Sequence, residues 1–200
     1  MAKHVVILLH GVGSNGRDLQ PLAQYWSQQH SEIKFLTLNA PFQFEQGGGY
    51  QWFSINGVTE QSRPARVVAA REHFDHAINA LLHENGIDLT TAKLMFVGFS
   101  QGSIMALDAL VSQRFPLAGV IAFSGRLASP QPYLNSRGEK ALLVHGKSDP
   151  VIPWLESEKA GSLLEEAGFS VQTHYEDGVG HTITQTGAAV AAEFIHKAFE

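Results

Sequence analysis

The 200-residue chain carries 14 Lys and Arg against 19 Asp and Glu, a formal charge of −5 at pH 7 with its ten histidines neutral, and is 44% hydrophobic. An acidic chain without a Lys/Arg cluster lacks the basic face that phosphate binding requires, which excludes a nucleic-acid partner. The absence of cysteine removes disulfides, thiolate metal sites and a cysteine nucleophile.

The apolar content is enough for one substantial core, and no linker, low-complexity tract or internal repeat divides the chain. One domain over residues 1–200 is expected. Val5 to Leu9 is a β-branched-rich apolar run bounded by Gly11 and Gly13, as for a strand buried on both faces. It is too short for a signal-peptide core or a membrane span, so a cytoplasmic location without stable membrane insertion is expected. A helix should follow from about Asp18, whose carboxylate can cap the first turn below an apolar stripe of Leu19, Leu22, Ala23 and Trp26. Ile33 to Leu38 reads as a second strand. Ser62 and Pro64 are placed to start a long helix that carries Val67, Val68, Phe74, Ile78, Leu81 and Leu82 inward and stops at Gly86.

Lys93 to Val97 leads as a strand into Ser100, and a helix follows with Ile104, Met105, Leu107, Leu110 and Val111. Further strands are expected at Leu117 to Phe123, Ala141 to His145 and Val171 to Tyr175. Helices are expected at about Leu155 to Ala167 and Thr184 to Phe199. This alternation predicts a mostly parallel α/β sheet covered on both faces. Such sheets place their sites outside the carboxyl ends of the strands. Ser100, Asp149 and His181 all follow predicted strands and should meet on that edge.

Gly98-Phe99-Ser100-Gln101-Gly102 spells G-x-S-x-G between a strand and a helix, the setting of a nucleophile elbow. A serine hydroxyl is a poor nucleophile at neutral pH and needs a base and a group that orients the base. His181, in Gly178-Val179-Gly180-His181, is the candidate base, and Asp149, in His145-Gly146-Lys147-Ser148-Asp149-Pro150, is the candidate orienter. Asp177 is the rival orienter. The chain order Ser, Asp, His is that of α/β-hydrolases. Charge developing on a carbonyl oxygen needs fixed donors, expected from the N–H of Gln101 and of Val12 in the loop His10-Gly11-Val12-Gly13. His10 is read as fixing that loop, and Ser124 as ending a strand.

Gly11-Val12-Gly13-Ser14-Asn15-Gly16 also matches the dinucleotide fingerprint G-x-G-x-x-G. The second strand ends in Asn39 rather than an acid, however, and the following helix starts too late for Gly16 to open it. Ser31 to Lys34 matches S-x-x-K without its companion motifs, and His73 with His76 reads as a solvated helix stripe. Nothing has metal-ligand spacing, so neither metal nor cofactor is expected. A binding protein that keeps the fold without the chemistry is disfavoured by the intact Ser100, Asp149 and His181 set.

These motifs together resemble the phospholipase/carboxylesterase family of α/β-hydrolases. Leu9 to Gly13, Asn39-Ala40-Pro41, Gln51-Trp52-Phe53, Gly98 to Ala106, Ser124-Gly125, His145-Gly146 with Asp149 to Pro153, and Gly180-His181 carry the resemblance. It implies a sheet of about six to seven strands with no large lid domain. It also implies Ser100, Asp149 and His181 as the triad, with Val12 and Gln101 as the oxyanion donors. The substrate implied is a small acyl ester of short to medium chain, with a thioester or lysophospholipid as the alternative, and a homodimer is expected by analogy. Ser14 and Trp52-Phe53-Ser54 stand where acyl-protein thioesterases carry an acidic residue and a W-Y-D-like stretch, which makes the chain more similar to the short bacterial esterases. Two long aperiodic stretches, about residues 41–61 and 126–139, are expected to be functional loops. Trp52, Phe53, Leu127 and Ile152 are the residues expected to line an acyl groove, with Phe42, Phe44, Tyr133 and Trp154 around them.

Overall fold

A computed structural model describes residues 4–200. The chain runs β1 (His4–Leu9), α1 (Gln20–Gln29), β2 (Ile33–Thr37), β3 (Phe42–Gln43), β4 (Tyr50–Gln51), α2 (Arg63–Glu84), β5 (Lys93–Phe99), α3 (Gln101–Ser112), β6 (Leu117–Phe123), β7 (Lys140–Gly146), α4 (Leu155–Glu166), β8 (Ser170–Glu176) and α5 (Gln185–Phe199). Six strands form one parallel sheet in the order β2-β1-β5-β6-β7-β8. The two-residue strands β3 and β4 form a separate antiparallel hairpin.

Strand side chains alternate between faces, so neighbouring residues of one strand enter different cores. Val5, Ile7 and Leu9 of β1 join Leu94 and Phe96 of β5 under α2, α3 and α4. Val6 and Leu8 join Met95 and Val97 under α1 and α5. The central strands are buried on both sides, which is why they read as continuous apolar runs.

Two local expectations are corrected. Val68 is 41% exposed while Val67 is fully buried. Adjacent helix residues point about 100° apart, and with Val67 at the centre of the buried face Val68 falls outside it. The turn expected to start at Asp18 starts earlier, as a short 3-10 helix over Gly16–Leu19 whose cap is Asn15, its side chain accepting the Asp18 N–H. The Asp18 carboxylate instead accepts from Ser14 Oγ at 2.7 Å. Gly16 donates its N–H to Asn39 Oδ1 at 2.9 Å, and a Cβ there would lie 2.9 Å from the Leu38 carbonyl carbon. This glycine of the G-x-G-x-x-G string therefore lets two backbone segments meet, and its N–H is already used within the protein.

Candidate active site

Ser100 sits between β5 and α3 with φ 54° and ψ −116°, a conformation that is costly for a residue with a side chain. The tight turn is held by the Ser100 N–H donating to Phe123 O at 2.9 Å and by Ser100 O accepting from Ser103 N at 2.9 Å. Its glycines are contact residues. A Cβ on Gly98 would lie 2.4 Å from the Gly102 carbonyl carbon, and one on Gly102 would lie 2.1 Å from Leu9 O. Gly102→Ala must therefore push α3 away from β1. We expect a loss of about 3 kcal/mol, the upper end of ordinary overpacking. For a chain of this length that lowers Tm by roughly 6–12 °C in a thermal melt.

At the carboxyl edge of the sheet, His181 Nε2 lies 3.0 Å from Ser100 Oγ and His181 Nδ1 lies 2.7 Å from Asp149 Oδ2. A carboxylate only accepts, so Nδ1 carries the proton and the Nε2 lone pair faces the serine. Asp149 follows β7 and His181 follows β8. The two loops are tied by Lys147 N–H donating to Glu176 O at 2.8 Å and Ser148 N–H donating to Val179 O at 2.9 Å. Asp149 Oδ1 accepts the N–H groups of Val151 and Ile152 at 2.8 and 2.9 Å. Burial pushes the Asp149 carboxyl upward, but the His181 hydrogen bond and these two backbone donors outweigh it and hold the group below the ordinary carboxylate value. Asp177 is removed from contention: it is 92% exposed and lies 3.5 Å from Lys147 Nζ.

The loop after β1 comes close to the serine, since a Cβ on Gly11 would lie 3.3 Å from Ser100 Cβ. Gly13 N–H donates to Tyr50 O at 2.8 Å and Ser14 N–H to Gly11 O at 3.2 Å, which fixes the backbone on either side of Val12. Gln101 opens α3, so its N–H has no carbonyl partner within the helix. His10 is buried and locks the same loop, accepting the Ala40 N–H on Nε2 at 2.9 Å and donating from Nδ1 to Gly11 O at 2.7 Å. Burial lowers its pKa, consistent with the neutral ring these two bonds require. The side chain of Gln101 has a task that its sequence position does not announce. Its Oε1 accepts the Trp52 N–H at 2.7 Å and its Nε2 donates to Phe53 O at 2.8 Å, which joins the start of α3 to the loop after β4.

The four acyl-groove candidates do not line one groove. Trp52 is 1% exposed, its indole N–H donates to His10 O at 2.9 Å, and its ring packs on Phe74. Trp52 and Phe53 form the floor of a cleft of about 530 Å³ bounded by Phe42, Ala69 and His73. Leu127 lines a different cleft of about 300 Å³ with Tyr133. Ile152 is buried, with its N–H on Asp149 and its carbonyl on His145. Neither cleft includes Ser100 or His181 in its lining. For Trp52 the physical reason is that a large aromatic with a polar tip gains most where both parts are satisfied, and here that place is the core beneath the loop. Among the described residues no group of three or more His, Asp or Glu is placed to hold a metal ion, and no helix is long and apolar enough to cross a membrane.

A strained serine at a strand-to-helix turn, with an imidazole and a carboxylate behind it at the carboxyl edge of a parallel sheet, defines an α/β-hydrolase. The family model for phospholipases and carboxylesterases matches residues 1–199, and the chain belongs to that family. It is a serine hydrolase. The chain is similar to esterase YpfH of Escherichia coli strain K12, 29% identical over 97% of this chain and 82% of the relative. It is also similar to acyl-protein thioesterase 1 of Neurospora crassa, 28% identical over 91% and 82%. Among solved structures, esterase PE8 superposes with a TM-score of 0.87 at 34% identity, covering 98% of this chain and 93% of that one.

Proposed function

We propose that the protein hydrolyses acyl esters of short to medium chain through Ser100, His181 and Asp149. The reading rests on the row Ser100 Oγ, His181 Nε2 and Nδ1, Asp149 Oδ2, with separations of 3.0 and 2.7 Å. His181 takes the proton of Ser100 as Oγ attacks the acyl carbonyl, then delivers it to the leaving alcohol. Asp149 keeps the proton on Nδ1 and stabilises the imidazolium. The oxyanion accepts from the N–H groups of Val12 and Gln101, and water repeats the cycle on the acyl-enzyme. Trp52, Phe53, Leu127 and Ile152 serve the acyl group through the loops they anchor. Thioester hydrolysis is the second reading, favoured by the likeness to a relative named acyl-protein thioesterase.

Fluorophosphonate labelling of the folded protein should give one adduct, on Ser100, and none in Ser100→Ala. A p-nitrophenyl ester series should show kcat/KM falling from butyrate to palmitate. An unlabelled Ser100 would remove the mechanism, and a maximum at palmitate would remove the chain-length preference. A faster turnover of matched acyl thioesters would move the substrate class to the second reading.

A further inference from the structure

Asp149 is held by one more group. His145, the last residue but one of β7, is buried with Nε2 3.2 Å from Asp149 Oδ2 and 2.8 Å from Ile152 O. Its Nδ1 lies 2.6 Å from Ser157 Oγ on α4. The Ile152 carbonyl and the carboxylate can only accept, so Nε2 carries the hydrogen. It is donated to Ile152 O, and the same N–H dipole lies against Asp149 Oδ2 at 3.2 Å. The Nδ1 lone pair then accepts from the Ser157 hydroxyl. Burial lowers the His145 pKa, and the ring is neutral.

We infer that His145 is a positioning residue for the proposed reaction: it fixes the Asp149 carboxylate against His181 through Nε2, with Ser157 holding the tautomer. The inference rests on the Ser100, His181 and Asp149 reading above. A carboxylate can rotate about its Cβ–Cγ bond, and each oxygen that accepts from the fold removes part of that freedom. Oδ1 is held by the Val151 and Ile152 N–H groups. Oδ2, the oxygen that faces His181, has the His145 Nε2–H dipole 3.2 Å away on another side. Because His145 is neutral it supplies a dipole and leaves the full charge of Asp149 to the imidazolium that forms on His181. A cationic group in its place would compete for that charge. A line of polar contacts thus runs Ser157, His145, Asp149, His181, Ser100, from α4 to the nucleophile, with the His145 to Asp149 step an electrostatic contact at 3.2 Å. His145 touches no substrate, and its effect should appear in turnover rather than in binding.

The test compares His145→Leu, His145→Gln and Ser157→Ala with wild type on p-nitrophenyl butyrate, alongside Ser100→Ala. Leu removes the N–H and keeps an apolar filling. Gln can return an N–H near the position of Nε2. One charge-assisted hydrogen bond corresponds to about 10- to 100-fold in rate, so His145→Leu should lower kcat by that factor with KM within about twofold. His145→Gln should recover most of the loss, and Ser157→Ala should lose about threefold. Unchanged kcat in folded His145→Leu would overturn the inference. So would equal losses in Leu and Gln that track a fall in Tm, the mark of a purely structural residue. If His145→Leu does not fold, a wild-type kcat in Ser157→Ala overturns the inference, and a loss of about threefold in kcat at unchanged KM and Tm supports it. Ser100→Ala reports separately on the underlying mechanism: full activity there would end that reading, whatever the His145 variants do.

Discussion

His181→Ala should lower kcat on p-nitrophenyl esters by on the order of 10⁶, the scale seen when the base of such a triad is removed. The argument is geometric. His181 Nε2 is the group placed 3.0 Å from Ser100 Oγ, and its other nitrogen is committed to Asp149 at 2.7 Å. His10 and His145 are both buried, and their ring nitrogens are hydrogen-bonded to the backbone or to Ser157, so neither can substitute. The loss should fall on kcat, because in the proposed mechanism the imidazole acts on the proton that moves in the transition state and contributes little to ground-state binding. Asp149→Asn should cost less, about 10⁴, since the histidine remains but in the wrong tautomer. Steady-state kinetics with a Ser100→Ala background control measure both. Near-full activity in His181→Ala would assign the base to another group.

Some of this site is legible in the sequence and some is not, and the difference lies in how far apart the interacting residues stand. The elbow announces itself because the strand, the two close-packed glycines and the helix are contiguous around Ser100. Asp149 and His181 follow because a parallel sheet delivers every loop after a strand to one edge. The Gln101 side chain escapes, since its partners in residues 52 and 53 belong to a loop whose path only the fold determines. The division of Trp52 and Leu127 between two separate clefts escapes for a related reason: composition shows large apolar residues in two loops but not which way each loop turns them. The β3 and β4 hairpin is too short for a period-two pattern, with Gly47, Gly48 and Gly49 inside its turn. Val68 is misread because a run of apolar residues in a helix does not itself say which one faces inward.

The same limit hides the charged cluster beneath the site, from which the largest stability effect is expected. Asp108, midway along α3 with its side chain 0% exposed, accepts from Arg71 Nε and Nη2 at 2.9 and 2.7 Å. It also accepts from Arg114 Nη1 at 2.9 Å and from Ser129 Oγ at 2.6 Å. Arg114 in turn grips Asp75 of α2. One carboxylate therefore joins α2, α3 and the loop after β6, and the Arg71 guanidinium is driven above its ordinary pKa first by its hydrogen bond to Asp108. Asp108→Ala leaves two guanidinium groups and a hydroxyl around a space without an acceptor. Breaking one side of a buried pair costs about 3–5 kcal/mol. The lower half of that range is expected here, because Arg71 and Arg114 keep side-chain exposures of 26% and 17% and can draw some water. Chemical denaturation should register the loss as a lower midpoint at unchanged m-value. Arg71→Met should cost less, since Asp108 keeps Arg114 and Ser129. Because Asp108 reaches Ser100 only through the body of α3, the folded fraction of Asp108→Ala should keep kcat within a few-fold of wild type. An unchanged midpoint would show that the cluster contributes no net stability, while a fall in kcat without loss of stability would make Asp108 a partner in positioning the nucleophile.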